Sequence, residues 1–125
     1  MIRINWAQTC SYDYEQKELF HRAAKQRLRL LAKEVGFKKE SFDLRSNKAG
    51  CAVSGEVTLH HENVYVQVGQ SCMGVGFGIL IRTCNGRRDF HGGHNHFLPL
   101  SDLDKREPLI EVVEHLLGVS RALAG

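Results

Sequence analysis

Proline is scarce in this chain: two in 125 residues, both late, at Pro99 and Pro108. That excludes a proline-rich linker. There is also no repeat, no low-complexity stretch and no shift in composition that would mark a boundary. The reading is one domain, residues 1–125. A chain of this length buries roughly two thirds of its unfolded surface, enough for a core without staples. No apolar run approaches the roughly 18–20 residues of a membrane span. Met1-Ile2-Arg3-Ile4-Asn5-Trp6 lacks the apolar stretch of a secretory leader. No membrane partner is expected, and the expected location is cytoplasmic. None of Cys10, Cys51, Cys72 and Cys84 stands in a Cys-x-x-Cys pair. In a cytosol they are reduced thiols that behave as small apolar residues.

The composition that remains is ordinary for a globular protein, 42% apolar and 25% charged. The formal charge of +3 is unevenly spread, because residues 17–48 carry ten Lys/Arg against four Asp/Glu. Phe20, Ala24, Leu28, Leu31 and Val35 recur at helical spacing, which predicts a helix from Tyr14 to Val35. Asp13 and Gln16 fit a capping box at its start, and Gly36 is the expected stop. On the arc opposite the apolar stripe stand Arg22, Lys25, Arg29 and Lys33.

Strands follow. A short one is expected over Ser41–Arg45, then a turn over residues 46–50. Val53, Gly55, Val57 and Leu59 alternate with polar residues, and Val64, Val66 and Val68 repeat the pattern, with a turn at Glu62–Asn63. Phe77, Ile79, Ile81 and Thr83 make a further strand. Asn85-Gly86 is the preferred pair for a type I′ hairpin. If Cys84 pairs with Arg87, Arg82 faces Asp89 and Ile81 faces Phe90, one pairing charge-complementary and the other apolar. Ser101-Asp102 opens a helix, Pro108 suits the first turn of another, and Gly118 is expected to end or weaken it. The predicted fold class is α+β: an antiparallel β-meander of three to five strands, flanked by an N-terminal and a C-terminal helix.

Chemistry-bearing motifs are few. His91, His94 and His96 lie within six residues on a glycine-rich loop and could ligate zinc or another transition metal, although a closed structural zinc site needs four ligands and no second knuckle exists. His94-Asn95-His96 lacks the hairpin-and-helix context of the nuclease motif with the same letters. The glycines of Gly74-Val75-Gly76-Phe77-Gly78 run into a strand rather than opening a helix, so they are not a phosphate-binding fingerprint. They leave one face of the strand start bare. Cys72 or Ser71 has no surround that fixes a base beside it. Asp102 and Asp104 read as helix-start acids facing the dipole. The helix–strands–helix order invites comparison with the double-stranded RNA-binding domain, but acids occupy the place of that domain's lysine cluster.

At Arg45-Ser46-Asn47-Lys48-Ala49-Gly50, Gln70-Ser71-Cys72-Met73-Gly74 and Arg82-Thr83-Cys84-Asn85-Gly86-Arg87, with Gly92-Gly93 and Asn95-His96-Phe97, the chain resembles uncharacterised proteins carried by bacterial plasmids and prophages. The resemblance covers the middle and later chain. It implies a mobile-element setting and no particular chemistry.

The functional expectation is a non-enzymatic binding module that touches nucleic acid, or a host protein handling it, through Arg22, Lys25, Arg29, Lys33, Arg87 and Arg88. One alternative is a metal-binding protein or metal-dependent enzyme using His91, His94 and His96. Another is a homo-oligomeric interaction protein, such as a homodimer built on a sheet edge.

Overall fold

The first helix, α1 (Tyr14–Glu34), ends one residue before the predicted limit. Its end is set by Gly36, which takes φ +80. The Phe37 amide reaches back to the Ala32 carbonyl at 2.8 Å and the Gly36 amide to Lys33 at 3.2 Å. These two bonds form a Schellman cap, which satisfies carbonyls that the last turn leaves open. The computed structural model describes residues 1–6, 14–47, 55–69, 78–89 and 93–124, with side chains as far as 119. Asp13, Cys10, Cys51, Cys72, Gly74 to Phe77, Phe90 and His91 therefore lie outside the described residues.

A single helical turn (Lys39–Ser41) leads into β1 (Phe42–Asn47), one residue later than expected at its start and two at its end. Then come β2 (Glu56–His61), β3 (Val64–Gly69), β4 (Ile79–Thr83) and β5 (His96–Leu98). A short helix, α2 (Asp102–Lys105), precedes α3 (Glu107–Ala124). The five strands form one antiparallel sheet in chain order, a meander. The α+β class and the flanking helices are as predicted.

Strand register sorts the side chains. In β2, β3 and β4, Val57, Leu59, Val64, Val66, Val68, Ile79 and Ile81 point to one face and are fully buried. α1 packs over β1 and β2, and α3 over β3 and β4. The helices contribute Phe20, Ala24, Leu28, Leu31, Leu109 and Val113 to this core. At about 25 cal/mol per Å² of apolar area removed from water, this shared face drives the assembly. Glu62 and Asn63 form the turn of the β2–β3 hairpin, as the alternation predicts.

Two expectations are corrected. Asn85-Gly86 does not make a two-residue hairpin. β4 pairs with β5, and Ile81 stands opposite His96 rather than Phe90. Gly86 has positive φ (+123) but Asn85 does not, so the type I′ geometry is absent. The segment instead docks on the neighbouring turn: the Cys84 amide donates to Asn63 O at 3.0 Å and the Gly86 amide to Glu62 O at 2.7 Å. Asp89 Oδ2 accepts from the Asn85 amide at 2.8 Å, so Asp89 caps the loop rather than facing Arg82 across a ladder. Cross-strand pairs worth a few tenths to about 1 kcal/mol each do not outweigh these tertiary bonds. Nor does Gly118 end α3, which continues to Ala124. An isolated Gly costs only about 1 kcal/mol within a helix, less than the packing of Val113, Leu116 and Leu117 supplies.

Candidate functional site

The basic face of α1 is where the periodicity places it. Arg22, Arg29 and Lys33 are exposed and Lys25 is half-buried. None of the four makes an ion pair or side-chain hydrogen bond among the described residues. Glu34, one of the few acids nearby in sequence, is held by the guanidinium of Arg106.

Arg27, between these cations in sequence, has the opposite fate. It points inward, with its side chain 4% exposed, and bonds Asp104 Oδ1 through Nε at 2.9 Å. Trp6 Nε1 donates to the other oxygen of the same carboxylate at 2.6 Å. The Arg27 guanidinium also lies 5.4 Å from the Trp6 ring centroid. Burial pushes the Asp104 carboxyl up, but the bonds from Arg27 and Trp6 outweigh it and leave the pKa below 3.8. Asp104 thus clasps the N-terminal segment and α1 to α2, a role that its position at a helix start does not reveal.

Arg87 and Arg88 do not join the α1 face. Arg87 folds onto β1, donating to Asp43 Oδ1 at 2.5 Å and to Glu40 O at 2.8 Å. Asp43 belongs to the sheet face away from the helices, as its register with His60 shows. The sheet therefore separates Arg87 from the α1 stripe. Arg88 is exposed on the same loop.

In the histidine loop, the rings of His94 and His96 lie edge to face with centroids 5.3 Å apart. His94 is exposed and His96, on β5, is half-buried. His91 lies outside the described residues. Among those described, no group of three His, Cys, Asp or Glu is arranged to hold a metal. The Cys84 thiol is buried, donates to His61 O at 3.1 Å, and has its pKa raised by that burial. It is therefore a poor nucleophile.

A further polar cluster lies on the sheet face away from the helices. Register aligns Asp43, His60, Tyr65 and Arg82 across β1 to β4. His60, Tyr65 and Arg82 are all buried. The Arg82 guanidinium lies 4.2 Å from the Tyr65 ring centroid, and His60 meets that ring edge-on at 4.9 Å. Tyr65 donates its hydroxyl hydrogen to Gln67 Oε1 at 2.9 Å. Arg45 Nη1 stands 3.3 Å from His60 Nδ1, while its Nη2 donates to Asp43 at 2.8 Å. Burial and then the Arg45 charge lower the His60 pKa, favouring the neutral imidazole. Burial raises the Tyr65 pKa, and the Arg87 hydrogen bond lowers that of Asp43. The alternation marks Thr58, His60, Tyr65, Gln67 and Arg82 as the polar side of these strands. What that pattern does not reveal is that this side is buried.

No described helix is long and apolar enough to cross a membrane. No family model, curated protein or solved structure matches the chain.

Proposed function

We propose that this protein is a non-enzymatic binding module whose α1 face docks on the phosphate backbone of a nucleic acid, in the cytoplasm of a bacterium and in the setting of a mobile element. The supporting observation is the unpaired state of Arg22, Lys25, Arg29 and Lys33 among the described residues. A helix face selected only for stability interleaves Glu at i, i+4 to form pairs. Here Glu34 is drawn away to Arg106. From Arg22 to Lys33 the helix rises about 16 Å at 1.5 Å per residue, enough to track several successive phosphates. Binding of this kind is sequence-independent and depends on counterion release.

The test is fluorescence anisotropy with labelled single- and double-stranded DNA and RNA over a range of salt concentrations. Wild type is compared with the variant carrying Ala at 22, 25, 29 and 33. The expected result is binding at low salt whose log–log salt slope falls in magnitude by about three to four units in the variant, one for each phosphate contact. Equal affinities, or no binding by wild type at low salt, would return the stripe to an ordinary solvated face.

The adjacency of the His94 and His96 rings supports a second reading, transition-metal binding with His91 as a further ligand. Metal retained through gel filtration and lost on His94→Ala and His96→Ala is its expected signature, and metal-free protein after incubation with zinc, nickel and copper salts rejects it. The same column separates a monomer from a homodimer.

A further inference from the structure

Arg82 presents an electrostatic problem. It is only 7% exposed. Arginine does not deprotonate in proteins, so its charge is buried with it. Among the described residues it makes no ion pair, and its Nη1 is buried with no hydrogen-bond partner. The Tyr65 ring offsets part of the desolvation but supplies no acceptor.

The surroundings deepen the problem. Arg45 belongs to the same face, and Arg87 leans onto it from the loop, with Nε also buried and unbonded. One carboxylate, Asp43, serves both Arg45 and Arg87. Asp89 has one oxygen on the Asn85 amide. Glu56 shares the face but lies four residues along β2 from His60, out of the Arg82 row. The stretches 48–54, 70–77 and 90–92, which adjoin these strands in sequence, contain no Asp or Glu. Among the described residues, Arg45, Arg82 and Arg87 thus share this face with Asp43, which pairs with Arg45 and Arg87 and not with Arg82.

A buried charge without a counter-charge is strongly unfavourable, and an unsatisfied buried group of this kind calls for a partner such as a water or an ion. We infer that the sheet face around Arg82, bordered by Arg45, His60 and Tyr65, is a binding site for an oxyanion, the phosphate or carboxylate group of a small ligand. A planar guanidinium fork matches both chemistries and bonds them more strongly than a neutral donor would. This site lies across the sheet from the α1 stripe and stands or falls independently of it.

The experiment uses the full chain carrying Ala at 22, 25, 29 and 33, so that the helix face cannot contribute. It is titrated calorimetrically with inorganic phosphate and, separately, with acetate at constant ionic strength, and its Tm is followed against chloride. Saturable binding of at least one anion is expected, with a Tm that rises as that anion saturates. Arg82→Met in the same background is expected to be as stable in chloride as its parent or more so, since an unpaired buried charge is replaced by an apolar side chain. It should lose the saturable response and keep only the unspecific salting effect of phosphate. If Arg82→Met does not fold, Arg82→Lys decides: binding should weaken roughly tenfold, the worth of one charge-assisted hydrogen bond. Response to phosphate alone assigns a phosphate ligand, and response to acetate a carboxylate. No saturable response in the parent, or unchanged binding in the Arg82 variants, overturns the inference.

Discussion

Asp104→Ala is expected to be among the most damaging substitutions of a partly exposed residue in this protein. The change removes the acceptor for both Trp6 Nε1 and Arg27 Nε. It leaves a guanidinium whose side chain is 4% exposed without its counter-charge. Breaking a fully buried pair costs about 3–5 kcal/mol. Here the Asp104 side chain is 44% exposed, so water can enter the vacated space and solvate part of the fork. The expected loss is therefore about 2–3 kcal/mol, near the value of one or two hydrogen bonds to a charged group. For a domain of this size that lowers Tm by about 6–15 °C. Urea denaturation is the assay, followed by the fluorescence of Trp6, the single tryptophan, and checked by far-UV circular dichroism for two-state behaviour. Asp104→Asn, which keeps one acceptor but no charge, should fall between Ala and wild type. The Arg27→Met, Asp104→Ala double variant should recover much of the loss, because the stranded charge is gone. A loss under about 0.5 kcal/mol for Asp104→Ala, or two single losses that simply add, would refute the clasp.

Gly118→Ala should stabilise the protein by about 0.5–1 kcal/mol in the same assay, since the residue is exposed within α3 and an added Cβ meets nothing within 4 Å. Gly55→Ala should destabilise it by about 1–3 kcal/mol, because Gly55 sits at φ +86 and a Cβ would collide with the Asn47 carbonyl; a neutral result would show that β2 does not start as described. Leu28→Ala, at a fully buried position between α1 and the sheet, should cost about 2–5 kcal/mol. Acid stability carries a sign that can be checked: the folded pKa values of Asp43 and Asp104 lie below 3.8, so their contribution is complete above that pH and is lost as pH falls through the lower folded values. Asp43→Asn and Asp104→Asn should each flatten the decline of stability in that window, whereas a steeper decline would mean that their arginine partners do not hold these carboxyls below the usual range.

Much of the fold was legible because its signals are local and repeated. The Phe20, Ala24, Leu28 and Leu31 stripe and Gly36 located α1 to within one residue. The alternating valines located β2, β3 and the turn between them. Of the candidate sites, the α1 stripe was legible as a surface because helical periodicity decides which residues point outward. Its grouping with Arg87 and Arg88 was not, because proximity in charge and chain says nothing about which side of a sheet a loop crosses. The path of Asn85-Gly86 is not legible locally for a related reason. Turn preference and two cross-strand pairs are weak local energies, and the neighbouring hairpin turn offers this segment better bonds.

The sequence by itself therefore determined α1, β1 to β4 and the C-terminal helices in their order, the core-facing residues and the outward basic face, but not β5, which forms at His96–Leu98 where a loop is expected. These follow from periodicity and from capping residues acting within a few positions of themselves. Only the tertiary structure decided which charges are buried. Arg22 and Arg27 lie in the same helix, yet one is in water and the other beneath Trp6, bonded to a carboxylate 77 residues away. Arg82 occupies a polar position in an alternating strand, yet the fold closes over it. Burial of a charge depends on what distant parts of the chain bring to it, and a local pattern carries no record of that.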